Sequence, residues 1–325
     1  MSGIRANGKR RRHDHAWRRA LAGLAAAGVL LAGGPALAQG GDDDDADAGV
    51  TVTQPTVQTG VMVGGMELNA ALARLARDPR NSAALMDAGA AALRIGDTQA
   101  ALGFFKRADQ VAPNDGRIKA AIGSALVRAD DPYDALQYFD DAERNGADLG
   151  AMAADRGLAS DLVGDNAAAQ RWYQLAQARG PSDEVTRRYA LSLAIAGDPR
   201  GSERVLAPLI QKQDRAAWRV RTFALAIGGQ DAQAEGTARA MMPPQLAAAI
   251  SPYLRYLPRL TRAQQAAAAS FGRFPRAADI GHDDPRVAQY AAAHPAPRAV
   301  GAALAPAGVA LGKPAKVDRD RKSVV

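Results

Sequence analysis

The chain has 325 residues, 47% of them hydrophobic but only 5% aromatic, with a formal charge of +7 and no cysteine. Its apolar content rests heavily on alanine, which suits closely packed helices better than a sheet, and the missing cysteine excludes disulfides, thiolate catalysis and cysteine-ligated metal. The positive charge is not the footprint of a nucleic-acid partner either: residues 1–38 carry +6 of the +7, which leaves residues 39–325 nearly neutral at +1.

Those first residues fall into three parts. A basic run, Lys9 to Arg12 with Arg18 and Arg19, precedes an apolar stretch from Ala20 to Gly33, and then comes the small-residue site Ala36-Leu37-Ala38. This is the layout of a Sec-type signal peptide cut after Ala38, with an apolar core too short to span a bilayer. His-Asp-His after Arg12 fits a twin-arginine signal poorly, and no cysteine follows the cut to carry a lipid. The expected location is the periplasm or beyond. Residues 39–65 shift to Gly, Asp, Thr, Val and Gln. The run Asp42 to Asp45 with Asp47 repels itself and lacks the alternating ligands of a calcium loop, so a solvated, disordered linker is expected there.

Met66 is expected to open a helix, with Leu68, Ala71, Leu72 and Leu75 on one face, ending near Asp78-Pro79. A repeat comes next. Ala101, Phe105, Ala108 and Pro113 recur as Ala135, Phe139 and Ala142, and again as Ala169, Tyr173, Ala176 and Pro181. Gly89, Gly123 and Gly157 stand at constant offset upstream. A fixed period of 34 residues signals stacked supersecondary units, each a pair of helices. The glycine on the first helix and the alanines on the second allow close approach, and the aromatic fills the space between them. The aspartates 97, 131, 165, 198 and 231, each beside a helix-stopping residue, extend the array to about five units. In the last two the pattern decays to Ser202 and Leu206, then Ala234 and Ala238.

Gly89, Ala101, Phe105, Ala108 and Pro113, with their copies, resemble the tetratricopeptide repeat (TPR). The resemblance covers roughly 66–243 and is strongest over 82–181. It implies an all-α solenoid, a right-handed superhelix of helix-turn-helix units whose first helices line a concave, peptide-receiving face. Carried onto this chain, the groove positions are Met86, Ala90, Leu93 and Arg94 in the first unit. The second unit supplies Arg117, Ala120, Ser124, Val127 and Arg128, and the third Ala154, Leu158 and Asp161. The lysines and asparagines of the family's carboxylate clamp are missing there. An apolar strip flanked by Arg94, Arg117 and Arg128 would suit an acidic or C-terminal segment of a partner.

Beyond Pro243-Pro244, residues 244–275 read as a helical cap on the C-terminal end of the array. Pro252 is expected to kink or split the first helix, and Thr261 with Gln264 forms a capping box for the second. The stretch from Tyr256 to Pro275 also resembles TPR proteins of sphingomonad-type bacteria, many of which carry a peptidoglycan-binding SPOR domain. Residues 276–325 lack the strand periodicity of such a domain and read as a disordered basic tail. His282 and His294 lie in this segment without a rigid support for catalysis, and no catalytic, phosphate-binding or zinc motif occurs. The expected function is a non-enzymatic scaffold that needs no cofactor or metal and binds a protein or peptide partner. The alternatives are an envelope protein tied to peptidoglycan or cell division, and an assembly factor for pili or secretion.

Overall fold

A computed structural model describes residues 56–294, with side chains from Val63 onward. The expected signal peptide, the aspartate run and the chain beyond His294 lie outside the described residues. Five helical hairpins follow one leading helix, α1 (Thr56–Arg77). They are α2 (Ser82–Arg94) with α3 (Thr98–Val111), α4 (Gly116–Arg128) with α5 (Pro132–Arg144), and α6 (Leu149–Leu162) with α7 (Asn166–Arg179). The last two pair α8 (Asp183–Ile195) with α9 (Pro199–Gln211), and α10 (Arg215–Ile227) with α11 (Asp231–Met241). The leading helix starts ten residues ahead of the expected Met66. Gly64 does not interrupt it, because that position lies against α2, where an added Cβ would meet Ile95 Cγ2 at 2.8 Å.

One turn closes every hairpin. The amide of the residue that caps the second helix donates to a carbonyl five residues back: Asp97 to Ala92, Asp131 to Leu126, Asp165 to Ser160, Asp198 to Leu193 and Gln230 to Leu225, each at 2.9 Å. The residue just before each cap has positive φ: Gly96, Asp130, Gly164, Gly197 and Gly229. This is the left-handed helix stop that glycine accommodates without strain, and the aspartate that completes it caps the next helix in turn. In the fifth hairpin the cap is Gln230 rather than the expected Asp231, and it makes no side-chain cap bond. Asp231 is one residue too late to accept from the helix's first amides, and its buried Oδ1 has no hydrogen-bond partner.

Glycine and aromatic meet inside each of the first three hairpins. A Cβ on Gly123 would lie 2.8 Å from Phe139, and one on Gly157 2.7 Å from Tyr173. At the same two positions the fourth hairpin has Ala190 with Leu206, and the fifth Thr222 with Ala238, all buried. As the second-helix residue shrinks, the first-helix residue grows. The interior stays filled while the consensus decays.

Hairpins stack by placing each second helix against the next first helix. First helices of successive hairpins also touch one another, and second helices do not approach to that extent. The layer in which neighbours lie closest is the inner one of a curved array, so α2, α4, α6, α8 and α10 form the concave face.

The C-terminal segment departs from the expected cap. Helix α12 (Pro244–Tyr256) runs unbroken through Pro252 and stacks on α11 and α10, as a next first helix would. A short 3-10 turn (Leu257–Arg259) then reverses the chain, and α13 (Arg262–Phe271) lies on α6, α8 and α10. It occupies the concave face instead of closing the end of the stack. Residues beyond 275 are not all tail: another 3-10 turn (Ala277–Asp279) leads to α14 (Pro285–Ala293), with Val287 buried.

Candidate binding groove

Two positions on each first helix decide the character of the concave face. Seven residues before the turn cap, the hairpins carry in order Ala90, Ser124, Leu158, Leu191 and Phe223. Three residues before it they carry Arg94, Arg128, Leu162, Ile195 and Ile227. Small and cationic residues in the first two hairpins therefore give way to large apolar ones in the last three. Helix α13 lies over that apolar half. Leu158, Leu191, Val220 and Phe223 line a cavity of about 110 Å³ with Ala269, Ser270 and Phe271 of α13, and the charged side chains Glu184, Arg187, Arg188 and Arg219 line it as well. Leu162 shares a cleft with Ala263, Gln264 and Ala267, and the α6–α7 turn at Gly164 passes the start of the same helix.

The half over α2 and α4 holds most of the expected groove residues. Met86, Ala90, Leu93, Ala120 and Ser124 are partly buried, while Arg94, Arg117 and Arg128 are exposed. The arginines are not free cations. Arg94 pairs with Glu67 of α1, Arg117 with Asp115 at 2.7 Å, and Arg128 with Asp155 at 3.6 Å. Arg117 reaches back to the residue that caps its own helix and stays 83% exposed. In place of a positively flanked strip, the open half is close to electrically neutral.

Three expected groove residues are not available to a partner. Val127 is 1% exposed and packs in the core. Leu158 is on the inner face but lies beneath α13. Asp161 is inside the array, where its carboxylate accepts hydrogen bonds from Tyr173 at 2.9 Å, Ser192 at 2.7 Å and Asn166 at 2.7 Å. Burial pushes its pKa up to about 7 despite these three donors. The same burial, with the Asp161 charge beside it, raises the Tyr173 hydroxyl well above its usual value. A sequence signal for this pair existed. Four hairpins place Leu93, Val127, Ala194 and Ala226 where the third has Asp161, and the third is the only one with tyrosine at the aromatic position.

Sequence reading missed the C-terminal occupant of the other half. Its polar groups satisfy one another. The capping box forms, with Thr261 and Gln264 each bonding the other's backbone. Gln264 also donates to the carbonyls of Asp279 and His282 and accepts from Gly281, and Gln265 donates to Leu257. The segment's charged links to the array lie at the rim, where Arg273 pairs with Asp130 and Arg286 with Asp131 at 3.6 Å, and Glu184, Arg187, Arg188 and Arg219 stand beside Phe271. Arg286 also lies 4.5 Å from the Tyr133 ring. Farther on, Tyr290 stacks on His294 in a cleft with Trp172 and Arg156. Burial, with Asp165 and Asp140 nearby, pushes the Tyr290 hydroxyl up to about 12, so it stays neutral. Among the described residues no cluster of metal-ligating side chains forms.

No protein-family model matches the chain, and no curated protein does. Among solved structures it is similar to YrrB, a TPR protein with an unusual peptide-binding site, at 16% identity over 57% of this chain and 99% of that one, with a TM-score of 0.43. A tetratricopeptide repeat protein from Parabacteroides merdae is similar at 15% identity over 73% of this chain and 97% of that one, with a TM-score of 0.48. The TPR domain of P58(IPK) is similar at 14% identity over 67% and 69%, with a TM-score of 0.26. These overlaps say nothing of what the chain binds. The fold stands on the hairpins themselves: five stacked helix pairs of the tetratricopeptide type, with no strand among the described residues and with α13 of the same chain lying in the groove.

Proposed function

We propose that this chain is a non-enzymatic scaffold, exported to the periplasm, which holds a protein partner on the concave face of its first two hairpins. One observation carries the reading. The C-terminal segment covers the inner face of α6, α8 and α10 and leaves that of α2 and α4 open, with Met86, Ala90, Leu93 and Ser124 partly exposed along it. Helical-repeat inner faces receive extended or helical peptides through such strips. Because Arg94 and Arg128 are already paired, the partner is selected by shape and apolar contact more than by charge. Export rests on the basic, apolar and Ala36-Leu37-Ala38 order of the first 38 residues.

The test is affinity capture from an envelope extract with the chain from Gln39 onward, beside a variant carrying Ala90→Arg and Ser124→Arg. Both positions are only partly buried, so the variant should fold and lose the partner. Equal capture by the two proteins would refute the groove assignment. Retention of the chain on purified sacculi, with no captured protein, would favour a peptidoglycan role instead. Cell fractionation with detection of a shortened chain tests export.

A further inference from the structure

We infer that α13 is a displaceable, built-in ligand of the concave face, and that hairpins three to five are a docking site for a second helix of the same chemistry. That chemistry is visible in the bound segment. The helix is a run of alanines, buried at Ala263, Ala266 and Ala268, and it ends in an aromatic, Phe271, followed by a cation, Arg273. The occupant is therefore a partner helix of small residues with an aromatic at its C-terminal end. The site is the other half of the face from the strip over α2 and α4, and it stands whether or not a partner docks on that strip.

Three features make the segment removable. Alanine buries little apolar area per residue, so a helix built of it gains less from burial than one of leucines. The polar groups of residues 257–294 are satisfied within the segment, and its lifting strands no donor or acceptor in the groove. Its charged links to the array, Arg273 to Asp130 and Arg286 to Asp131, sit at the solvent-facing rim, where ion pairs are weak. The surface left behind is specific. Leu158, Leu191 and Phe223 stand at one repeat position and form an apolar row, edged by Glu184, Arg187, Arg188 and Arg219, where the first two hairpins have Ala90 and Ser124. An apolar row of that kind on successive helices receives a helix laid along it by its apolar face, and small residues on that helix leave room for the large side chains of the row. Any partner that binds there first competes with α13, whose tether gives it a high effective concentration.

Hydrogen–deuterium exchange on the intact chain tests removability without a mutation. Residues 261–293 should exchange as one unit, at least tenfold faster than the amides of α6 and α8 beneath them. A labelled peptide of residues 257–294 tests the docking site. It should bind the intact Ala266→Glu chain, whose own α13 cannot seat a carboxylate at a 1% exposed position, at least tenfold more tightly than the unmodified chain. Arg273→Ala, which removes the rim ion pair and the stacking of its guanidinium 4.6 Å from the Phe271 ring, should move peptide affinity the same way by a smaller factor. The inference is overturned if residues 261–293 are as protected as α6 and α8. It also fails if the peptide binds neither variant better than the unmodified chain, or if the segment proves to be exchanged between two copies in a stable dimer.

Discussion

Arg273 of the C-terminal segment pairs with Asp130, the single non-glycine among the five left-handed residues that close the hairpins. Its φ of +67° is a conformation that costs an L-residue roughly 1 kcal/mol or more, and Gly96, Gly164, Gly197 and Gly229 adopt it freely. The strained residue thus stands where the tail returns to the array, and its carboxylate is what holds the returning arginine.

Replacing Asp130 by glycine separates these two roles. The turn should relax, raising the melting temperature by about 2–4 °C for roughly 1 kcal/mol in a unit of this size. Exchange of residues 261–293 should accelerate in the same protein. Arg273→Ala should show the second effect without the first.

The glycine–aromatic pairs predict a rescue. Gly123→Ala drives a methyl to 2.8 Å from Phe139 and should cost about 1–3 kcal/mol. Combined with Phe139→Leu it recreates the Ala190–Leu206 pair of the fourth hairpin, and the double variant should be more stable than the sum of the single effects by about 1–2 kcal/mol. Additive losses in urea unfolding would show that the two positions are not packed as described.

Asp161 makes stability depend on pH in the direction opposite to the surface ion pairs. Its folded pKa of about 7 lies above the unfolded value near 4, so its contribution is full below pH 4 and is lost as pH rises towards 7. Asp115, Glu184 and Asp214, whose pKa values are lowered by their arginine and amide partners against the opposing effect of burial, lose theirs as pH falls. Asp161→Asn keeps an acceptor for Ser192 and Asn166 and a donor for Tyr173, with no charge to bury. The stability of the variant relative to the unmodified chain should improve by about 2–3 kcal/mol between pH 5 and pH 7.5. An equal difference at both values would mean that the carboxylate stays ionised throughout.

Ser202 occupies the position of Ala101, Ala135 and Ala169, and its buried hydroxyl has no partner. Removing an unsatisfied hydroxyl from a core relieves about 1 kcal/mol or more of desolvation. Ser202→Ala should therefore raise the denaturation midpoint with unchanged slope.

Local rules determined the array. The 34-residue period, the glycine facing each aromatic and the aspartate that closes one helix while capping the next are set by contacts within a hairpin. Each is visible as a residue type at a fixed spacing. The Thr261–Gln264 capping box is of the same kind. The cap of the fifth hairpin shifted to Gln230 because the backbone stop at Gly229 sets the start of the helix, and the aspartate does not.

Tertiary packing alone decided which half of the groove is open. An alanine helix is nearly alike on all sides, so α13 carries no stripe that announces which surface it will meet. Its path is set by the reversal at Leu257–Arg259 and by the row of Leu158, Leu191 and Phe223 on three separate helices. That row becomes one surface only when the hairpins stack. Asp161 follows the same logic from the other side. Its chain position is that of a groove residue, but a carboxylate twelve residues from a tyrosine on the paired helix finds its hydrogen bonds inward, and burial then sets its protonation.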